Sequence, residues 1–397
     1  MSIASRSRIS AVFAGLTALG YAFFTLLPNS HGLMAAWPFV LVWQLTLGAG
    51  FLWGLSQLYL RRRGEGFGQP WDYLTLAGLI LVLLSALGAQ FRPQALIQSW
   101  AVVALVAVLY GLRGWLNPPS PDPLLTPHRR RWLLRGQGAL NIGFIVLGLA
   151  LWVKRIYLPE QALLAAFRAV GVEQSFDFNA IQLRNPYPLG HANYVAGYLL
   201  LALPVLLILF LQERGWGRWL WLTGVGAGLA DLFLTSSRGG FFALGVLLLL
   251  ALIGAARWGS LTRRQLWGLM GGALGLGGVL IISNNRLRQT LASLLQGGAS
   301  SELSFRSITN AVGWGMGRAH WLTGAGLGSV PLLYQKYRPG WAGQEGEWLY
   351  EVLSTPMQIF GELGAGGLIF LFSIVLSSVY ARWRGGQKSQ CREGERR

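Results

Sequence analysis

The sequence predicts an all-α integral membrane protein, with about ten transmembrane helices in one bundle and two long outward loops that form a cap. The first observation is composition, because 53% of the 397 residues are hydrophobic and only 12% are charged, against about 25% in soluble domains. The second is that several segments run almost without charge over about 18 residues, which is the length that crosses roughly 30 Å of hydrocarbon. The third is the abundance of glycine and tryptophan, with 54 and 18 residues. Glycine allows close approach of helices in membranes, and tryptophan favours the headgroup boundary.

Ten apolar segments are long enough to be drawn as spans. The first follows Arg6 and Arg8, as a signal peptide would, but no small-x-small cleavage site precedes the next polar stretch, so we expect a retained helix. The last span is expected to begin as a short interfacial helix before Gly364 and Gly366. The predicted spans are 9–28, 35–58, 72–91, 95–115, 134–153, 193–212, 217–235, 240–256, 265–283 and 357–381.

Basic residues predict the orientation of these spans. Loops rich in arginine alternate with loops that hold fewer basic residues for their length, and the positive-inside rule places the arginine-rich side in the cytoplasm. Both termini, including the charged tail 384–397, are therefore expected in the cytoplasm. Two outward loops, 155–191 and 284–356, are much longer than the rest, and loops of that length on a tightly connected bundle are usually functional. The basic residues of the inward loops and tail are Arg61, Arg62, Arg63, Arg129, Arg130, Arg131, Arg135, Arg214, Arg218, Arg257, Arg263, Arg264, Arg382, Arg384 and Lys388.

The sequence lacks the features of several other classes of protein. The net charge of +18 is explained by basic residues at the ends of apolar segments, and no feature indicates nucleic acid as a partner. A single cysteine, Cys391, excludes an internal disulfide framework and a cysteine metal cluster. The four histidines show no metal-ligand spacing, and the GxxxxGK[ST] phosphate loop is missing. We therefore expect no metal and no cofactor.

Polar residues at the start of the sixth predicted span form the first candidate site. His191 and Asn193 stand at the N-terminal end of this helix, where free N–H groups and the positive end of the helix dipole favour an anion. Arg184, a few residues earlier, can help to bind a phosphate or carboxylate. The alternative is an interfacial cluster that only anchors the helix.

The turn TSSRGG, at 235–240, holds the second candidate. Arg238 interrupts an apolar stretch on the outer side, against the positive-inside bias, and a charge at membrane depth marks a functional site. Asp231 lies seven residues earlier, two helical turns below on roughly the same face. The alternative is that Asp231 simply neutralises Arg238.

The second outward loop and the start of the last span hold the remaining candidates. Arg306 belongs to a set of arginines that can bind diphosphate through bidentate guanidinium contacts, although such arginines can also contact anionic lipid headgroups. His320 lies in the same loop. Glu362 opens the last span one turn after Gln358, where it can act as a base or pair with an arginine.

Three short motifs follow one another in the second half of the chain. A long outward loop leads into HANYVAGYLLLALP, a T-x-S-R-G-[AG] turn appears as TSSRGG, and a late loop runs from Arg306 through WLTGAGLGSVPLLYQKY to MQIFGELGAGG. In this order they resemble the O-antigen ligase and O-antigen polymerase superfamily of multi-spanning envelope glycosyltransferases. The resemblance covers about residues 185–380, whereas the first five spans match only in hydropathy.

The resemblance implies an activity and the residues that carry it. Members of this superfamily transfer a glycan from an undecaprenyl-diphosphate carrier to an acceptor on the outer face of the bacterial cytoplasmic membrane. Transfer or polymerisation without a metal is therefore implied, with a lipid-linked glycan donor, a glycan or lipid acceptor and membrane lipid as partners. The resemblance makes Arg238 and Arg306 the best candidates for binding the diphosphate, and Arg184 is the next candidate. Glu362 corresponds to the glutamate that opens the last span.

One position departs from the family pattern. Ligase-like members usually have a histidine nine residues before that glutamate, and this chain has Leu353 there. If the histidine is the general base of the family, this chain has lost it, and His320 or Glu362 is the possible substitute. Two other functions stay open. One is a solute transporter, because some photosynthetic-bacterial relatives are described as inorganic-carbon transporters, and the other is a catalytically degenerate scaffold.

Overall fold

The computed structural model shows an all-helical chain. It describes residues 3–61, 66–117, 125–174, 176, 180–257, 301–343 and 351–394, together with isolated positions between 258 and 300. No strand occurs among these described residues, which agrees with the predicted all-α class.

The described helices follow the apolar segments of the sequence. A π-helical turn, Val153–Tyr157, joins the sixth helix to the seventh, and 3-10 turns lie at Ile181–Leu183 and Gly340–Ala342. In chain order the described helices are α1 (Ile3–Leu26), α2 (Ser30–Leu33), α3 (Phe39–Arg61), α4 (Trp71–Gly88), α5 (Arg92–Leu116), α6 (Leu125–Trp152), α7 (Leu158–Ala169), α8 (Ala192–Gln212), α9 (Gly217–Thr235), α10 (Arg238–Arg257), α11 (Ser301–Ala319), α12 (Val330–Tyr337) and α13 (Thr355–Gly394).

Seven segments of the described chain are long and apolar enough to cross a membrane, and they coincide with the first six predicted spans and the last. The predicted seventh span is the helix α9, and the eighth is the shorter apolar helix Arg238–Gly254 within α10. The predicted ninth span, 265–283, lies outside the described residues apart from isolated positions. The chain is therefore a multi-pass membrane protein, whereas the total of about ten spans and the cap stay predictions.

The helix that carries the predicted fifth span does not end with that span at residue 153. The helix continues through the π-turn into α7, so that its apolar segment runs over Pro127–Ala169. Pro159 accounts for the π-turn, because it stands in the first turn of α7 and has no N–H for a carbonyl of the preceding turn. The first part of the predicted outward loop 155–191 is therefore helical.

The chain is divided into two compact units. The first unit comprises Met1–Leu16, Leu47–Pro119 and Ala299–Arg397, and the second comprises Thr17–Thr46 and Ser120–Gly298. Each unit carries its own group of candidate residues. The first contains Arg306, His320 and Glu362, and the second contains Arg184, His191, Asn193 and Arg238.

Glycines bring helices of the first unit into close contact. A Cβ added at Gly111 in α5 would lie 2.8 Å from the Cα of Gly54 in α3. A Cβ added at Gly313 in α11 would lie 2.8 Å from the carbonyl oxygen of Met357 in α13. Small residues are common at helix contacts in membranes, because the lipid is as apolar as the side chains and close packing drives association.

The second unit has a core built around α8. Leu199 of α8 and Leu232 of α9 are almost fully buried and share one core with Phe144 of α6. At the predicted cytoplasmic end of α8, Arg135 donates two hydrogen bonds to the Glu213 carboxylate, at 2.6 and 2.9 Å. These hydrogen bonds lower the pKa of the Glu213 carboxyl below its ordinary value, because they stabilise its charged form.

The last helix is interrupted inside its apolar segment. Gly364 has φ 67° and ψ −161°, which are not helical angles, and it separates a short first part of α13 from the long remainder. A left-handed φ is accessible to glycine without a steric cost. The short first part corresponds to the predicted short helix before Gly364.

Candidate functional site

In the second unit, a turn with an unusual backbone joins α9 to α10. Ser236 has φ 46°, a left-handed conformation that residues other than glycine adopt rarely. Its backbone N–H bonds to the Phe233 carbonyl and closes the end of α9. Ser237 then caps α10, because its hydroxyl accepts a hydrogen bond from the N–H of Gly240 at 3.2 Å. The turn thus holds Arg238 at the first position of α10.

Arg184 is fixed against this turn by hydrogen bonds. Its Nε donates to the Thr235 carbonyl at 2.6 Å, and its Nη2 donates to Asn193 Oδ1 at 2.9 Å. The same Asn193 oxygen accepts a hydrogen bond from the Ser237 hydroxyl at 2.9 Å. We call these four residues the Arg184 network. Because Ser237 caps α10, the network links the start of α8 to the start of α10.

The residue after Arg184 belongs to a buried pair. Asn185 Nδ2 donates to Asp231 Oδ1 at 2.6 Å, and the Asn185 backbone N–H donates to the Leu234 carbonyl at 3.0 Å. Both side chains of the pair are fully buried, and among the residues that the structure describes Asp231 Oδ2 has no hydrogen-bond partner. The segment with Arg184 and Asn185 is therefore bonded along the last turns of α9. It satisfies carbonyls that the C-terminus of a helix leaves free.

His191 begins α8 as a capping residue. Its Nδ1 accepts a hydrogen bond from the Asn193 N–H at 3.3 Å. The ring of Tyr194 lies between two imidazoles, since its centroid is 4.8 Å from that of His191 and 4.8 Å from that of His31. The Asn193 N–H, one of the groups expected from the sequence to bind an anion, therefore already has His191 as its hydrogen-bond acceptor.

In the first unit, residues 321–329 lie along the break in α13, and we call this segment the glycine loop. The Gly326 N–H donates to the Glu362 carbonyl at 3.0 Å, and the Ala365 N–H donates to the Trp321 carbonyl at 2.7 Å. Backbone groups that the break removes from the helical hydrogen-bond ladder are thereby satisfied. That condition applies to any irregular backbone at membrane depth.

Three glycines at alternate positions determine the backbone conformation of the glycine loop. Gly324, Gly326 and Gly328 have φ values of 72°, 99° and 70°, which glycine adopts without strain. A Cβ added at Gly324 would collide with the backbone of Glu362 and Leu363. Gly324 is therefore required by backbone packing against α13, whereas a Cβ at Gly326 would meet Ala89 and one at Gly328 would meet Gln98.

Glu362 lies at this contact, and its carboxylate accepts a hydrogen bond from the glycine loop. Its side chain is 5% exposed, and Oε1 accepts a hydrogen bond from the Gly328 N–H at 3.0 Å. The Val330 N–H and the Gln358 side chain also lie near the carboxylate. The Ser85 hydroxyl donates to the Glu362 carbonyl at 2.8 Å. The carboxylate thus lies at the N-terminus of α12, where the helix dipole favours a negative charge.

His320 and Arg306 lie at opposite ends of one helix in the first unit. His320 directly follows α11, is half-buried, and has its Nε2 3.4 Å from the Tyr337 hydroxyl. Arg306 is exposed near the start of α11, about 21 Å away along the helix axis at 1.5 Å per residue. The structure therefore does not bring Arg306 to the His320–Tyr337 pair.

Sequence reasoning missed the cap by Ser237 and two tertiary contacts in these groups. Ser237 had a local signal, because serine is a preferred N-cap residue and it directly precedes the helix. The bond from Asn185 to Asp231 joins residues 46 positions apart, and the contact of Tyr337 with His320 joins residues 17 positions apart. Neither contact has a signal in the local sequence.

The helices and the polar groups at their ends define a multi-pass α-helical membrane protein. Residues 224–372 match the family model of the O-antigen ligases, and this match supports the predicted resemblance to the O-antigen ligase superfamily. The matched segment includes Arg238, Arg306 and Glu362. No curated protein and no solved structure matches the chain at a significant level.

Proposed function

We propose that the protein transfers or polymerises glycan from an undecaprenyl-diphosphate carrier on the outer face of the bacterial cytoplasmic membrane. The family match supports glycan transfer of the O-antigen ligase or polymerase type. The observation that carries the proposal is the Arg184 network. This network holds Arg184 against the turn that precedes α10, and α10 begins with a second arginine, Arg238. A solute transporter and a degenerate scaffold are the alternatives that a transfer assay separates.

The start of α10 has the chemistry that a diphosphate requires. Arg238 supplies a guanidinium, and guanidinium groups bind phosphate oxygens in bidentate fashion. The N-terminal N–H groups of a helix favour an anion as well. Gly239 is exposed, and a Cβ there would meet nothing within 4 Å, so a ligand can approach the backbone. In this proposal His191 and Asn193 bind substrate at the start of α8.

The proposed reaction is a displacement at the anomeric carbon of the donor sugar. The acceptor hydroxyl attacks this carbon, the bond from the carbon to the phosphate oxygen breaks, and undecaprenyl diphosphate leaves with the electron pair. A base takes the hydroxyl proton, and Arg238 stabilises the charge that develops on the leaving group. Arg306 is proposed as a further diphosphate-binding residue. His320 and Glu362 are the candidates for the base.

The test is glycan transfer by the purified protein in lipid vesicles without metal, with an undecaprenyl-diphosphate oligosaccharide as donor and either the same molecule or a lipopolysaccharide core as acceptor. Arg238→Ala is expected to lower the rate about 100-fold, as expected for removing a donor that stabilises transition-state charge, and Arg306→Ala is expected to weaken donor binding. Arg218→Ala and Arg318→Ala are matched controls, from the opposite ends of α9 and α11, and should keep the wild-type rate. Leu353→His is expected to raise the rate, because it restores the family histidine.

Each other result of this assay contradicts a part of the proposal. Wild-type activity in both arginine variants would reject their roles in binding diphosphate. Donor binding without transfer in any variant would indicate the scaffold. If neither transfer nor donor binding occurred, the transferase would be rejected, and solute flux into liposomes would be measured next.

The native Cys391 reports the side of the membrane on which the C-terminal tail lies. It is the single cysteine of the chain, and the basic tail is predicted to be cytoplasmic. A membrane-impermeant maleimide is expected to leave Cys391 unlabelled in intact spheroplasts and to label it after permeabilisation. Cys391→Ser is the control for background labelling. Equal labelling in both conditions would place the tail outside and invert the proposed orientation.

A further inference from the structure

The oxygens of Glu362 accept hydrogen bonds from backbone N–H groups of the segment that leads into α12. Its Oε1 accepts a hydrogen bond from the Gly328 N–H at 3.0 Å. Its backbone carbonyl accepts from the Gly326 N–H at 3.0 Å. The side chain is 5% exposed. Both the main chain and the side chain of Glu362 therefore hold the glycine loop on α13.

We propose that Glu362 is a positioning residue that seats the glycine loop on the break in α13 and thereby places the His320–Tyr337 pair. It is not the proton acceptor of the reaction, and His320 takes that role. This inference rests on the proposed glycan transfer and specifies which group of the first unit moves the proton.

The glycine loop connects the two members of the pair. It starts directly after His320, whose carbonyl accepts a hydrogen bond from the Gly324 N–H at 2.7 Å. It ends at α12, whose eighth and last residue is Tyr337. A helix of this length is a rigid rod of about 12 Å, so a displacement of its start is carried to Tyr337. Because Glu362 accepts the hydrogen bond of the Gly328 N–H, two residues before this start, it sets the separation of His320 from Tyr337.

Access also distinguishes the two candidate bases. A general base must reach the proton of the acceptor hydroxyl within hydrogen-bond distance. Glu362 is buried, and the Gly328 N–H would become unsatisfied if the carboxylate turned to a substrate. His320 is half-buried, and its Nε2 already faces a hydroxyl, that of Tyr337. Of the two candidates, the imidazole is therefore the one that an acceptor hydroxyl can approach.

Glu362→Gln separates positioning from proton transfer. Glutamine keeps a side-chain oxygen that can accept from the Gly328 N–H, but it cannot serve as a base. We expect Glu362→Gln to keep the transfer rate within about threefold of wild type. Glu362→Ala and His320→Gln are each expected to lower the transfer rate about 100-fold. In the first variant the glycine loop loses its hydrogen bond to residue 362, and in the second the base is lost.

Hydrogen exchange in the full-length protein gives a second readout that needs no substrate. The amides of residues 324–330 are expected to exchange at wild-type rates in Glu362→Gln and His320→Gln, and at least about tenfold faster in Glu362→Ala, because an N–H without its acceptor opens more readily. Equal losses of transfer in Glu362→Gln and Glu362→Ala, with wild-type loop exchange, would overturn the inference. Wild-type exchange in Glu362→Ala would overturn it as well. A wild-type protein without transfer would contradict the proposed function, while the exchange data would still decide whether Glu362 seats the loop.

Discussion

Gly324→Ala is expected to abolish glycan transfer and to lower the free energy of unfolding by about 3 kcal/mol or more. Gly324 has φ 72°, and this left-handed backbone costs a residue with a side chain about 1–2 kcal/mol. The added Cβ would also collide with the backbone of Glu362 and Leu363. Overpacking of a tight contact costs about 1–3 kcal/mol more. The cost is not relieved locally, because the atoms in the way are main chain and no side chain can turn aside.

Gly340→Ala is the matched control for this variant. Gly340 lies in the same unit, is exposed, and has open space around the position of an added Cβ. Its substitution is expected to change the free energy of unfolding by less than about 0.5 kcal/mol, as for most surface positions. The measurement is the thermal unfolding midpoint in detergent, together with the transfer rate. A wild-type midpoint for Gly324→Ala would mean that the glycine loop does not pack against α13.

The helices were predictable because each membrane crossing requires a long apolar segment whose backbone bonds are local. The predicted spans 193–212 and 217–235 agree within one residue with α8 and α9. The end of the helix that carries the fifth span was not predictable from the length of its apolar segment. Lys154 and Arg155 interrupt the apolar pattern, but they lie in a π-turn through which the helix continues. Charge indicates where side chains leave the hydrocarbon, and it does not end a helix.

The candidate site was predictable where it depends on helix ends and not where it depends on tertiary contacts. Arg184 and Asn193 flank the start of α8 and are nine positions apart, so their grouping follows from the sequence. The contact of Gly328 with Glu362 joins residues 34 positions apart. The motif shows only that glycines recur, and the need for Gly324 arises from the close approach of the Glu362 and Leu363 backbone on another helix.

The buried pair of Asn185 and Asp231 supports the second of the large expected effects. Asn185→Leu is expected to lower the free energy of unfolding by about 3 kcal/mol, because a buried carboxylate then loses a hydrogen-bond donor. The Tyr187 N–H, which donates to Asn185 Oδ1 at 2.9 Å, loses its acceptor as well. Gln182→Leu, at an exposed position three residues earlier, is the matched control and should be close to neutral.

A double-mutant cycle separates the pair from its surroundings. Asp231→Asn keeps an oxygen that accepts from Asn185, so it is expected to cost much less than Asn185→Leu. Asp231→Leu leaves the Asn185 amide unpaired, whereas the double variant with leucine at both positions leaves neither polar group of the pair buried without a partner. The double variant is therefore expected to be more stable than the sum of the single losses by about 1–3 kcal/mol, the coupling typical of residues in direct contact. Because the Arg184 network begins at the adjacent residue, Asn185→Leu should also reduce glycan transfer. Additive losses in unfolding midpoints measured in detergent would show that the two side chains do not interact, and Asp231 would then need a different partner to explain its burial.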